Sequence, residues 1–156
     1  MQRKEKKNEK KIDGKGLKIG VVVAEFNWDI TGKMAEGAVE FLKKSGVESD
    51  DIDVVKVPGA FELPLMCKKM VVSGKFDALV ALGCVIKGDT DHYYYVAGEA
   101  SRGIMDVMIE LGVPIGFGVI TTNNLEQAEE RSSGKSNKGF EAAEAALVMV
   151  ENLKKI

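Results

Sequence analysis

Apolar positions fall into two rhythms along this chain. Short continuous apolar runs alternate with longer stretches in which apolar residues return every three or four positions. The first rhythm reads as buried strands and the second as amphipathic helices. The runs are residues 17–24, Ile52–Val57, Ala78–Ile86 and residues 114–120. After the first run, Ile30, Met34, Ala38, Phe41 and Leu42 mark one helical face, with Asp29 or Thr31 as its cap and Gly46 as its end. Leu63, Met66, Cys67, Met70 and Val71 mark the next, with Pro64 in its first turn and Gly74 closing it. A third helix starts near His92 and presents Val96, Ala100, Ile104, Val107, Met108 and Leu111 until Gly112 and Pro114 stop it. Residues 125–131 form a short helix, residues 132–137 a flexible link, and residues 138–153 a last helix.

Strand and helix thus alternate four times, with the final helical part split. That order predicts an α/β fold: one three-layer sandwich with a four-stranded parallel sheet, right-handed crossovers and helices on both faces. Residues 1–11 are polar and without apolar period, and Gly14 and Gly16 mark a turn. Residues 1–13 are therefore expected as a flexible polar arm and 14–156 as a single domain. Ala142, Ala143, Ala145 and Ala146 make the last helix small on most sides. That suits either a subunit interface or close packing onto the sheet within one chain.

Composition narrows the function classes. At 45% hydrophobic, 29% charged and net charge −2, the chain is an ordinary globular one, and no nucleic-acid binding is expected. No apolar run approaches the roughly 20 residues of a membrane span, and the start lacks a signal-peptide pattern. Cys67 and Cys84 form no Cys-x-x-Cys, and one histidine is too few for a Cys/His zinc cluster. Both are expected as reduced core thiols, which points to the cytoplasm.

The candidate chemistry sits where the third run breaks at Gly88-Asp89-Thr90 before a helix start that carries His92, the only histidine. A helix start favours anions, and histidine is the natural proton carrier near neutrality. A helix cap with an incidental histidine is the structural alternative. In parallel sheets ligands bind beyond the carboxyl ends of the strands. That rule collects Phe26, Asn27 and Trp28; Gly59, Ala60, Phe61 and Glu62; Gly88, Asp89, Thr90 and His92; and Thr121 to Asn124. Rings, one carboxylate, one imidazole, hydroxyls and amides suit a flat polar ring with hydroxylated substituents, plus an anion. Each also has a structural reading: Phe61 as core, Glu62 and Arg131 as helix-end charges, Thr90 as a cap. No phosphate loop, dinucleotide fingerprint or Gly-x-Ser-x-Gly elbow is present.

Several segments nevertheless resemble one family. They are Val57-Pro58-Gly59-Ala60-Phe61-Glu62-Leu63-Pro64, Leu82-Gly83-Cys84-Val85-Ile86-Lys87-Gly88-Asp89-Thr90-Asp91-His92-Tyr93, and Phe117-Gly118-Val119-Ile120-Thr121-Thr122-Asn123-Asn124-Leu125-Glu126-Gln127-Ala128. With Phe26-Asn27 and Asn137-Lys138-Gly139, they resemble the lumazine synthase (6,7-dimethyl-8-ribityllumazine synthase) family over about residues 16–153. The resemblance implies a flavodoxin-like subunit without cofactor or metal. It implies condensation of 5-amino-6-(D-ribitylamino)uracil with 3,4-dihydroxy-2-butanone 4-phosphate, the penultimate step of riboflavin synthesis. It assigns Phe26, Ala60, Phe61, Glu62, Cys84, Val85, Ile86 and Phe117 to the ribitylaminouracil. Asp89, Thr90, Arg131 and Lys138 go to the phosphate substrate, and His92 to proton donation. Phe117 and Arg131 match residues supplied by an adjacent subunit, so a homo-oligomer is implied, a pentamer or an icosahedral 60-mer, with riboflavin synthase as a further partner.

There are departures. Asp89 puts a carboxylate where some members have a small residue, so its backbone N–H is the expected phosphate contact. Tyr94 replaces an acid often found there, and Glu25 an arginine. The link 132–137 is one residue shorter than usual, in the region that separates pentamers from shells. An archaeal-type riboflavin synthase and a non-catalytic shell-forming scaffold are the alternatives; which substrate is consumed, and whether any is, distinguishes them.

Overall fold

The computed structural model describes residues 11–156; the arm expected over residues 1–13 falls mostly outside them. Among the described residues, four strands and five α-helices follow in order, with three single-turn 3-10 helices between them. They are β1 (Ile19–Ala24), α1 (Trp28–Lys44), β2 (Ile52–Val57), α2 (Leu63–Val72), β3 (Ala78–Ile86), α3 (His92–Leu111), β4 (Ile115–Thr122), α4 (Leu125–Arg131) and α5 (Lys138–Leu153). The four strands are parallel in the order β2-β1-β3-β4. Parallel neighbours need a crossover, and a helix supplies each one.

β1 is buried along its whole length, and β3 everywhere but at Ile86. Alternation divides them between two cores. Ile19, Val21 and Val23 pack with Val80, Leu82 and Cys84 under α1 and α5. Val22 and Ala24 pack with Leu79, Ala81 and Val85 under α2 and α3. A three-layer sandwich of flavodoxin-like kind results, because strands apolar on both faces must be covered on both.

Three local expectations change. α1 begins at Trp28, and neither Asp29 nor Thr31 is its cap: the cap position is Asn27, in the left-handed region. The Thr31 hydroxyl instead donates to the Ala24 carbonyl at 2.6 Å inside the core. β4 runs on through Thr121 and Thr122, because both pair with the end of β3. Residues 132–137 are no loose link. Asn137 uses its whole side-chain amide: Oδ1 accepts from the Gly139 and Phe140 N–H groups, and Nδ2 donates to the Lys33 and Ser132 carbonyls. One side chain thus caps α5 and ties it to α1.

The alanines of α5 are explained mostly within the chain. Ala142, Ala143 and Ala146 are buried against α1 and the sheet, while Ala145 is exposed. Glycines permit that approach. A Cβ on Gly139 would overlap the Met34 carbonyl of α1, and one on Gly116 would overlap the Ala142 carbonyl. Backbone atoms cannot swing aside as a flexible side chain can. Gly139→Ala is expected to destabilise the protein by about 1–3 kcal/mol, read as a lower urea midpoint. An unchanged midpoint would show that α1 and α5 are free to separate there.

Candidate active site

Parallel pairing puts four strand ends on one side of the sheet, and the loops leaving β1, β2 and β3 enclose a cavity of about 590 Å³. The β1 loop is fastened to the β2 loop through its backbone. The Glu25 N–H donates to the Val57 carbonyl at 2.8 Å, and the Phe26 N–H to the Pro58 carbonyl at 2.9 Å. The Phe26 ring is 71% exposed over the opening. From the β2 loop, Ala60 is buried while Phe61 is 60% exposed, and Glu62 stands at the cap position of α2. The end of β3 contributes Cys84, Val85 and Ile86 to the lining. Beyond it come Gly88, Thr90 and His92, the first residue of α3.

The local electrostatics favour an anion beside that histidine. Neither α2 nor α3 has a side-chain cap, but at α2 the Leu63 N–H donates to the Ala60 carbonyl and Pro64 has no N–H, and at α3 the Tyr94 N–H donates to the Asp91 carbonyl, so the His92 N–H is what the start of α3 offers an anion. The Thr90 hydroxyl lies 3.4 Å from the His92 N–H, too long to satisfy it well. Asp89 is exposed in the same turn and is not among the lining residues. Tyr94 lies in the first turn of α3, its ring 5.5 Å from the Lys87 ammonium and at right angles to Tyr93.

Phe117, Arg131 and Lys138 are not in this cavity. They line a second one of about 440 Å³ formed by β4, α4 and α5, which shares no lining residue with the first. Both cations there are already engaged. Arg131 donates to the Gln127 carbonyl at 2.9 Å and lies 3.8 Å from the Glu130 carboxylate. The Lys138 ammonium is 2.9 Å from Glu141. One guanidinium nitrogen bonded to a carbonyl leaves most of the five donors of arginine for another anion.

Sequence reasoning gathered Gly59 and Gly88 with the strand-end loops and read Val96 as part of the buried face of α3, but gave no site role to Tyr93, Tyr95 or Val96, all of which line the first cavity. The signal was present in the tyrosine run after His92: a 70% exposed aromatic such as Tyr95, at a strand-end rim, has little structural reason to be there. Among the described residues, no three His, Cys, Asp or Glu side chains group as a metal site would need.

Both cysteines are free and buried. Burial, which penalises the thiolate, pushes the Cys84 thiol up to about 11 and Cys67 up to about 12, from 9.0. At Cys84, a lining residue of the cavity, the chain therefore keeps a neutral, weakly nucleophilic thiol.

Among known protein families, the model described as 6,7-dimethyl-8-ribityllumazine synthase matches residues 16–154, from before β1 to just past α5.

The thiol shifts set a pH window. Both folded values lie above the unfolded one, so their contribution to stability is complete below about pH 9 and is lost as pH rises through 11 and 12. Urea midpoints are expected to fall over that range. At pH 8, iodoacetamide is expected to spare both thiols in the native protein and to alkylate both in denaturant. Fast native alkylation of Cys84 would contradict the buried neutral thiol.

Proposed function

The chain belongs to the 6,7-dimethyl-8-ribityllumazine synthase family, and we propose that the cavity at the ends of β1, β2 and β3 is where it binds its uracil substrate and moves protons. The reaction is the condensation of 5-amino-6-(D-ribitylamino)uracil with 3,4-dihydroxy-2-butanone 4-phosphate in riboflavin biosynthesis, and the enzyme is a transferase. The family match favours this reaction over riboflavin synthesis and over a scaffold without turnover.

The observation that carries the site reading is the company of His92. A proton carrier, a threonine hydroxyl and the weakly bonded N–H of His92 at the start of α3 share one cavity with Phe26, Phe61 and Glu62. In this reading Phe26 stacks on the pyrimidine, and Glu62 accepts hydrogen bonds from the ribityl hydroxyls near Ala60 and Phe61. The end of β3 reads the pyrimidine edge through its backbone. The 5-amino group adds to the ketone carbonyl and one water leaves as the imine forms. A proton is lost from carbon as the C–O bond to phosphate breaks, releasing inorganic phosphate. The ribitylamino nitrogen then closes the ring and a second water leaves. Each step moves a proton on or off oxygen, nitrogen or carbon, which His92 is placed to assist. Holding two reactants together supplies much of the remainder.

The phosphate meets Thr90 and the Asp89 backbone on one side and Arg131 and Lys138 on the other. The separation of these groups into two cavities supports a site completed by an adjacent copy, which lends Phe117, Arg131 and Lys138. Exposed Leu65, Val72, Met105 and Ile109 on α2 and α3 support a surface covered by other copies. The assembly we propose is at least a pentamer. Reduced, buried cysteines fit a cytoplasmic enzyme, and no described helix is long and apolar enough to cross a membrane. Riboflavin synthase, which uses the lumazine, is the partner this reading suggests.

Mixing the protein with both substrates is expected to produce the lumazine chromophore faster than the spontaneous condensation; an equal rate would defeat the reading. His92→Ala is expected to slow turnover by about 10²–10⁴-fold without abolishing it. Arg131→Ala removes a charge-assisted contact and is expected to raise KM for the butanone phosphate by about 10–100-fold, leaving KM for the uracil nearly unchanged. Equal losses for both substrates would contradict its role. A mass in solution below five subunits would contradict the pentamer.

A further inference from the structure

We infer that Asn27 is a positioning residue for the uracil side of the cavity, acting through Phe26; the inference rests on the assignment of Phe26 to the pyrimidine. Among the described residues, Asn27 is the one non-glycine residue at positive φ, with φ 61° and ψ 46°. That conformation is unfavourable for residues with a Cβ, and asparagine tolerates it better than most. The side chain does not cap the helix that follows. It crosses instead to β3, where Nδ2 donates to the Cys84 carbonyl at 3.0 Å.

This bond lies where the sheet runs out. The β1–β3 register ends at Val23 opposite Leu82, while β3 continues to Ile86 with β4 alone beside it. Asn27 extends the β1 side by one further link, made by a side chain rather than a strand. Its own carbonyl accepts from the Ile30 and Thr31 N–H groups and starts α1. Phe26 is therefore suspended between two anchors: its N–H on Pro58 of the β2 loop, and the next residue on Cys84 of β3. Packing contributes little, since the ring is 71% exposed. The backbone must fix its place, and the left-handed turn at Asn27 is what directs the chain from one anchor to the other.

A second consequence concerns the β3 edge. The Cys84 carbonyl faces the β1 side and is engaged by Asn27, whereas the Lys87 N–H faces β4 and donates to Thr122. Alternate residues face alternate edges, so Ile86 presents its backbone groups on the same open side as Cys84. Ile86 is the position of that edge left to read the pyrimidine.

The test compares Asn27→Gly, which keeps access to positive φ and removes the amide, with Asn27→Asp, which removes the donor at nearly constant shape. Both are measured by steady-state kinetics with the two substrates, alone and in a Phe26→Ala background. Each single variant is expected to raise KM for the ribitylaminouracil by about tenfold, with KM for the butanone phosphate and the pH profile unchanged. In the Phe26→Ala background neither is expected to add a further loss. An unchanged uracil KM, an equal rise for both substrates, or losses that add to that of Phe26→Ala would overturn the inference. If both variants fail to fold, by circular dichroism and size, Asn27 belongs to the scaffold and the positioning role is likewise overturned. Phe26→Ala alone separates the two levels: an uracil KM unaffected by it removes the underlying assignment, whereas a raised one with normal Asn27 variants removes this inference only.

Discussion

Parallel pairing of β3 between β1 and β4 is the constraint on which the cavity depends. Parallel strands send all their carboxyl ends in one direction, so every loop that follows a strand leaves from the same side of the sheet. β1 and β3 are the inner pair of the order β2-β1-β3-β4. Their burial on both faces is what forces helices onto both sides, and each helix returns the chain to start the next strand. β3 also outruns β1, since the β1 register ends at Leu82 while pairing with β4 reaches Ile86. The end of β3 beyond the β1 register contributes Cys84, Val85 and Ile86 to the cavity lining.

Most of the fold was legible because its strands are continuous apolar runs and its helices keep one clean face. Ile52–Val57 and Ala78–Ile86 carry their own boundaries, since a charged residue or Pro58 stands on either side. The errors fell where long-range hydrogen bonds override local pattern. Thr121 and Thr122 are polar and looked like loop, yet the end of β3 gives them partners. Residues 132–137 are rich in serine, with glycine and lysine among them, and looked loose. Asn137 holds them through carbonyls on Lys33 and Ser132, and Lys33 is 104 positions away in sequence. Asp29 and Thr31 both suit a helix cap by residue type. What sets the start of α1 is the turn at Asn27, and a single φ cannot be read from composition.

The site was legible in a different way. Its residue types and the strand-end rule gathered the loops that line the first cavity, but placed Thr121 to Asn124 on an equal footing with them. None of the four lines the first cavity, and Thr121 lines the second, with Phe117, Arg131 and Lys138. Local pattern offers no means of telling that two sets of chemically suitable residues line different cavities of one chain. The resemblance of Phe117 and Arg131 to residues lent by a neighbour carried that information instead. The cations illustrate why such groups are hard to weigh singly. Lys138 pairs with Glu141, and Arg131 is held against a carbonyl and near Glu130. Each has a sufficient structural reason to exist, and their orientation by those partners is also what would present them, ordered, to a phosphate.

Cys84 shows how the scaffold and the chemistry constrain one another. Its backbone is claimed on the β1 side by Asn27, and its residue pairs across to Ile120 of β4. Its side chain turns into the apolar core under α1 and α5. That core holds the thiol protonated, with its titration pushed up to about 11 by burial. The reaction passes through carbonyl and imine carbons, and a thiolate at the cavity wall would attack such centres. A protonated thiol is a poor nucleophile. The apolar core that lets β3 be a strand is thus also what keeps the Cys84 thiol neutral.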